Sequence, residues 1–390
     1  MSVLPSSAGR ASERCRYVDW LRVLAVLGVF LLHTAEPFTP YGAVRNDPAS
    51  MPLTVFAAFF YFWIMPFFFF LAGAGAKFAL EIRTASQFLK ERFLRLVVPY
   101  VAGVLMVVPP MAYVTGPGHS QMDVSYFAWY PRFFTNLEFA GGLGFLHRLG
   151  AHLWFLPFLF LVSLGTLNLL LFLRTRSGQV LLSKAADLGR YDGLLTLFAI
   201  PTTLVYVIFQ VGFTGVYGWR NFLYFIPFYI LGFVIFSQPR FAQLVERRTL
   251  MALVIGIFGF VFLSAMYLAG FGEKLETHPS WSALFILYSI IRNLNAWVWT
   301  LFVLGIGIKF LNRTNVLYAY AVELVLPFYI LHYAIIRLVT VHLIGWHTGA
   351  AVKFVCLTVI SLVLTVVLFE VFIKRLNWMR FLFGLKSREA

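Results

Sequence analysis

Long apolar stretches bounded by charge clusters recur along the whole chain, and polar residues interrupt them at only a few places. A stretch of about 20 apolar residues has the length of a membrane-crossing helix. The pattern predicts ten spans, at about 17–37, 52–76, 93–114, 152–173, 191–213, 221–238, 249–270, 282–308, 317–345 and 351–373. The expected fold is therefore all-α: a polytopic membrane helix bundle of about ten transmembrane helices. It forms one integral-membrane domain over residues 1–390, with short tails at 1–16 and 374–390. Residues 77–95 interleave apolar and charged positions and predict a short amphipathic helix at the membrane interface. In the second span, Pro66 is expected to introduce a kink. Gly73 and Gly75 allow close approach of a neighbouring helix or a thin ligand. The longest outer loop, 115–151, contains GPGHS and AGGLG and predicts an irregular cap. Its Tyr126, Phe127, Trp129 and Tyr130 form either an interfacial belt or a platform for an apolar sugar face.

Composition supports this reading. Of the 390 residues 61% are hydrophobic and 12% charged, against about 25% charged in soluble domains. The formal net charge of +15 is distributed by topology. Lys77, Arg83, Lys90, Arg92, Arg95, Arg174, Arg176, Lys184, Arg240, Arg247 and Arg248 fall in loops of one side, together with the basic residues of both tails. The other side holds Arg45, Arg132, Arg148, Arg220 and Lys274. By the positive-inside rule both termini are expected in the cytoplasm. Charge spread over many short segments argues against a nucleic-acid partner, which would need one basic face. Cys15 and Cys356 lie in the tail and the last span and should not pair, and no zinc spacing exists, so no metal is expected. Arginines before an apolar run resemble a signal peptide. The run is long, carries Arg22 and His33 and lacks a clear cleavage site, so it reads as a retained first span.

The first span carries the most informative chemistry. A guanidinium near the bilayer centre costs about 2.5–3.5 kcal/mol even on lenient scales, so an intramembrane arginine calls for a functional reading. Arg22 and His33, eleven residues apart, return to within about 20° of one direction and lie about 16 Å apart along a helix. Asp19 and Glu36 share their stripe, which is therefore expected to be polar from end to end. His33 is the candidate general base. Glu36 either orients its imidazole or faces water at the helix end. Arg22 either pairs structurally with Asp19 or binds an anionic or carbonyl group. Arg92 and Arg95 sit at the inner mouth, as topology alone also explains. Further polar groups lie at His152 and Trp154 in the fourth span, Arg292, Asn295 and Trp299 in the eighth, and Tyr329 and His332 in the ninth, just after Pro327. Four spans contribute polar residues that cannot all face lipid, so they are expected to converge on an internal cavity. No phosphate loop, HExxH or GxSxG motif is present, which weakens hydrolase and nucleotide-motor readings.

The Arg22-X10-His33 spacing resembles the R-X10-H signature of the membrane acyltransferase 3 family. Arg16-Tyr-Val-Asp19-Trp-Leu-Arg22 resembles the approach to it. FFFFLAGAGAKFAL resembles the family's second span, with Ala72 where serine is common. ERFLRLVVPY, with Arg92, Arg95 and Pro99, resembles its basic segment. HLWFL at His152, YILH at His332 and the closing FEVFIK also recur there. The likeness covers about residues 14–378 in order. Within the family the chain resembles the glucan-biosynthesis C proteins. It ends soon after the tenth span, so no fused esterase-like domain is expected. The resemblance implies an acyltransferase of the bacterial cytoplasmic membrane. It would move an acetyl- or succinyl-class group from acyl-CoA, a co-substrate rather than a bound cofactor, to a hydroxyl of an extracytoplasmic glycan or glucan. Envelope polysaccharide-synthesis proteins and membrane lipids are the further partners it implies. On that basis His33, Arg22, Glu36 and Asp19 would be catalytic; Arg92, Arg95 and Arg22 would bind the donor. His152, Trp154, Tyr329, His332, Arg292 and Asn295 would line the acceptor cavity. The residues leave open a transporter or lipid or glycan flippase, which would use a polar stripe equally well, and a scaffold whose polar groups serve only packing.

Overall fold

The computed structural model describes residues 16–42, 44–46, 48–116, 124–135, 143–188, 194–212 and 218–387. Cys15, most of the GPGHS and AGGLG segments, the N-terminal tail and the side chain of Arg220 lie outside the described residues. Among the described residues the fold is all-helical. Nine helical segments among the described residues are long and apolar enough to cross a membrane, or ten if one bent pair counts as a span. The helices that matter below are α1 (Arg16–Ala35), α2 (Met51–Tyr61), α3 (Ile64–Ile82), α4 (Ala85–Arg92), α5 (Val98–Met106), α6 (Val108–Thr115), α7 (Phe155–Gly165) and α8 (Ala199–Gly212). They continue with α9 (Trp219–Ser237), α10 (Pro239–Arg247), α11 (Thr249–Leu268), α12 (Phe271–Thr277), α13 (Ala283–Phe310), α14 (Val316–Leu343) and α15 (Ala350–Leu368).

Several local expectations change. The second span breaks at Phe62–Trp63 rather than at Pro66. Pro66 falls in the first turn of α3, where a missing N–H costs nothing. Residues 77–95 do not form one separate helix. Lys77–Ile82 continue α3, and Arg83 and Thr84 make the turn. Thr84 opens α4 through a capping box with Gln87. A π-helical turn at Phe93–Val97 then joins α4 to α5, so the third span runs Ala85–Thr115. Pro327 is absorbed within the continuous α14. The sixth span turns by 103° at the junction of α9 and α10, where Pro239 opens the second helix. In the outer loop, Tyr126–Thr135 form a helix rather than an irregular cap. Cys356 is a free thiol.

The tightest crossing joins α3 to α9. A Cβ at Gly73 would lie 1.9 Å from the Tyr229 carbonyl oxygen, and one at Gly232 would lie 1.9 Å from that of Phe70. The backbones therefore touch, as the small-residue pattern anticipates. α1 packs on α2, α3, α13 and α14, and its buried side carries Leu21, Ala25, Val26, Val29 and Phe30. The stripe that starts at Arg22 and ends at His33 is therefore not polar throughout: Val26 and Val29, at 4% and 3% exposure, fill its middle.

Candidate functional site

His33 sits in the last turn of α1. The helix gives way to a short 3₁₀ turn, Glu36–Phe38, because Pro37 has no N–H to continue it. The turn brings Glu36 back over His33, and Glu36 Oε2 lies 3.0 Å from His33 Nδ1. A carboxylate oxygen accepts, so Nδ1 carries a proton, and in the neutral imidazole Nε2 is the nitrogen with the lone pair. The following loop folds over this end. Thr39 donates from N and Oγ1 to the Glu36 carbonyl at 3.0 and 2.8 Å. Asn46 N donates to the Pro37 carbonyl at 2.7 Å. Lys353 of α15 ties Asn46 Oδ1 and the Ile344 carbonyl at 2.8 and 2.7 Å. Gly42 leaves no room for a side chain, since a Cβ there would lie 2.6 Å from the Glu36 carbonyl oxygen. The result is a narrow cleft, a cavity of about 10 Å³, lined by His33, Glu36, Gly42, Tyr333, Ile336 and Arg337 among others.

Beneath the cleft two further imidazoles follow. The His33 ring lies 4.6 Å from Tyr333 and 5.6 Å from His332, centre to centre. His332 lies 5.6 Å from His152. His332 Nδ1 is 2.8 Å from the Tyr329 carbonyl, and His152 Nε2 is 2.9 Å from that of Ile330. Carbonyls accept, so these nitrogens carry the protons. His332 Nε2 and His152 Nδ1 are left buried without a partner. Tyr329 donates to the His152 carbonyl at 2.6 Å. The structure thus gathers His33, Glu36, His152, Tyr329 and His332 in one place. Among the described residues no group of three His, Cys, Asp or Glu side chains could hold a metal ion. Tyr333 and Arg337 were not singled out in sequence as site residues. The available signal was an arginine inside an apolar span, five residues beyond His332.

The other end of α1 holds a second cluster. Arg22 pairs with Asp19 at 2.9 Å, and Tyr318 donates to the other Asp19 oxygen at 2.7 Å. Arg92 donates to the Ala72 carbonyl at 3.2 Å. Arg22 Nη2 reaches the Leu71 carbonyl at 3.5 Å. Both guanidinium groups converge on Gly75, where a Cβ would lie 2.6 Å from Arg22 Nη2 and 3.8 Å from Arg92 Nη2. Arg92 therefore turns into the bundle beside Arg22. Arg95 stays half exposed against Glu91. On the adjoining surface, Arg83, Gln87, Lys90, Glu91 and Leu94 line an open cleft of about 410 Å³.

Three expected cavity residues lie apart from the histidines. Arg292 pairs with Glu276 of α12 at 2.8 Å and lies over the Tyr206 ring at 4.9 Å. Asn295 faces α11, 2.8 Å from where a Cβ of Gly259 would stand, and its amide has no partner. Trp154 stacks on Phe225 at 5.6 Å. Arg292 and Asn295 are about 60° off one direction on a helix, enough to face different neighbours on the enclosed α13.

A family model described as an acyltransferase domain matches residues 16–370. The chain belongs to the acyltransferase 3 family. The match opens at the first residue of α1 and runs beyond α15, so it embraces both polar ends of α1. This family member is a multi-pass membrane protein, and its membership supports acyltransferase chemistry. No curated protein and no solved structure matches the chain.

Proposed function

We propose that the protein transfers an acyl group of the acetyl or succinyl class from cytosolic acyl-CoA to a hydroxyl of an extracytoplasmic glycan or glucan. It would sit in the bacterial cytoplasmic membrane with both termini inside, alongside envelope polysaccharide-synthesis proteins. The observation that carries this reading is the Glu36–His33 pair opening onto a cleft at one end of α1, with the Arg22 and Arg92 cluster at the other. Glu36 fixes the imidazole so that Nε2 is the base. Nε2 takes the proton of the sugar hydroxyl as its oxygen attacks the thioester carbonyl. The nucleotide end of the donor is too charged to cross, and the open basic cleft at Arg83 and Lys90, beside Arg95, supports docking there. Arg22 and Arg92 present planar donors to an anionic or carbonyl group of the arm. Asp19 holds Arg22 in place.

The test is His33→Ala and Arg22→Ala in membranes given labelled acyl-CoA. Loss of about 10²-fold or more in transfer for His33→Ala is expected, and near wild-type transfer defeats the assignment. A transporter or flippase would move its substrate unchanged, so an ester on the envelope carbohydrate of complemented cells, absent from deleted cells, separates the two readings.

A further inference from the structure

Arg337 lines the same cleft as His33 and Glu36. It belongs to α14, inside a membrane-spanning segment, where an arginine needs a compensating group. Its Nη2 donates to Thr115 at Oγ1, 2.9 Å, and reaches the Thr115 carbonyl at 3.4 Å. Its guanidinium carbon lies 5.9 Å from the centre of the Tyr333 ring. Among the described residues no carboxylate lies within ion-pair distance of it. Its Nε–H is buried and has no hydrogen-bond partner. A buried donor left unsatisfied on a cation is costly. It fits a group that gains its partner only when negative charge appears in the cleft. Glu36, the acidic residue lining this cleft, is engaged with His33 and, like Arg337, with the Tyr333 hydroxyl, so Nε is the donor on Arg337 that remains open.

From this arrangement we infer that Arg337 stabilises the oxyanion of the acyl-transfer step, a role that rests on the reading of His33 as the base. The sugar oxygen forms its bond to the thioester carbonyl carbon while its proton passes to His33 Nε2. The carbonyl π pair moves onto the carbonyl oxygen, which becomes anionic beside Arg337. The carbon–sulfur bond then breaks, the electron pair leaves on the coenzyme A sulfur, and His33 returns the proton to it. The imidazolium offsets Glu36 during the intermediate, and Arg337 offsets the oxyanion. A donor aimed at charge that exists only in the transition state lowers the barrier without tightening ground-state binding. Thr115, at the end of α6, positions the fork.

The experiment measures transfer from radiolabelled acetyl-CoA, or from succinyl-CoA where wild type does not use acetyl-CoA, into native acceptors of membranes carrying the full chain as wild type, His33→Ala, Arg337→Gln, Arg337→Gly or Arg337→Lys. For Arg337→Gln the expected result is kcat lower by about 10²-fold with KM for that donor within about twofold. Arg337→Lys keeps charge but not the fork and should fall between. Added guanidinium should raise kcat of Arg337→Gly at least about tenfold, which a merely structural role would not produce. Monodisperse elution shows which variants have folded. If wild type is active and a folded Arg337 variant keeps its kcat, or loses only KM, the inference alone is overturned. If wild type transfers nothing, or His33→Ala transfers normally, the base assignment fails and takes the inference with it.

Discussion

Replacing Gly73 by alanine tests the closest backbone contact in the bundle. The added Cβ would sit 1.9 Å from the Tyr229 carbonyl oxygen and 2.8 Å from its carbon. Real Cβ contacts do not fall below 3.0 Å, so α3 and α9 must separate by about 1 Å. The crossing includes the stacked rings of Phe69 and Phe225, 4.5 Å apart, and the fully buried Phe70 and Tyr229. A gap of about 0.5–1 Å forfeits a quarter to a half of each dispersion contact along it. Overpacking of this kind costs about 2–3 kcal/mol. Thermal unfolding of purified protein in detergent, followed by loss of the monodisperse peak, measures the effect. Gly232→Ala should match it, since a Cβ there meets the Phe70 carbonyl oxygen at the same 1.9 Å. Both changes widen one gap, so the double variant should lose less than the two singles together. Stability of Gly73→Ala within about 0.5 kcal/mol of wild type, or strict additivity, refutes the close-crossing argument.

Two further outcomes follow from particular contacts. Glu276→Gln removes the carboxylate that pairs with Arg292 and accepts from Tyr288, each at 2.8 Å. Leaving the buried guanidinium uncompensated should cost about 3 kcal/mol, and Arg292→Met added to it should recover part of the loss; unchanged thermal stability contradicts this. Ala151, at φ +46°, is the residue just before His152 and takes a backbone conformation that suits glycine. Ala151→Gly should raise stability by about 1 kcal/mol, read as a higher unfolding temperature, and no rise contradicts the strain.

The hydrophobic pattern located the membrane helices well because their length is set by the bilayer, not by tertiary detail. α1 and its neighbouring turn occupy Arg16–Phe38, against the expected 17–37. What the pattern could not place was the exact break in a span. Pro66 pointed to the right helix but to the wrong bond, since proline in a first turn follows a break instead of making one. Residues 77–95 looked interfacial because charge alternated with apolar positions, but the Thr84 capping box and the π turn at Phe93–Val97 divide them between two spans. In the site, His33, Glu36, His152, Tyr329 and His332 were legible as rare polar residues in apolar context. Arg337 was visible only as one more charge in a span. Arg292 was grouped with Asn295 because their spacing aligns them on one helix face, although a helix enclosed on several sides sends residues three apart to different neighbours. Only tertiary packing could separate them.

The valines between Arg22 and His33 bear on the membrane's ability to hold a voltage. An unbroken file of water joining a guanidinium at one end of α1 to an imidazole at the other would let protons run down a gradient worth about 2.3 kcal/mol per charge at 100 mV. Val26 and Val29 are packed shut, so no such file runs along this face of α1. Anything threaded along this stripe would first have to displace those two valines.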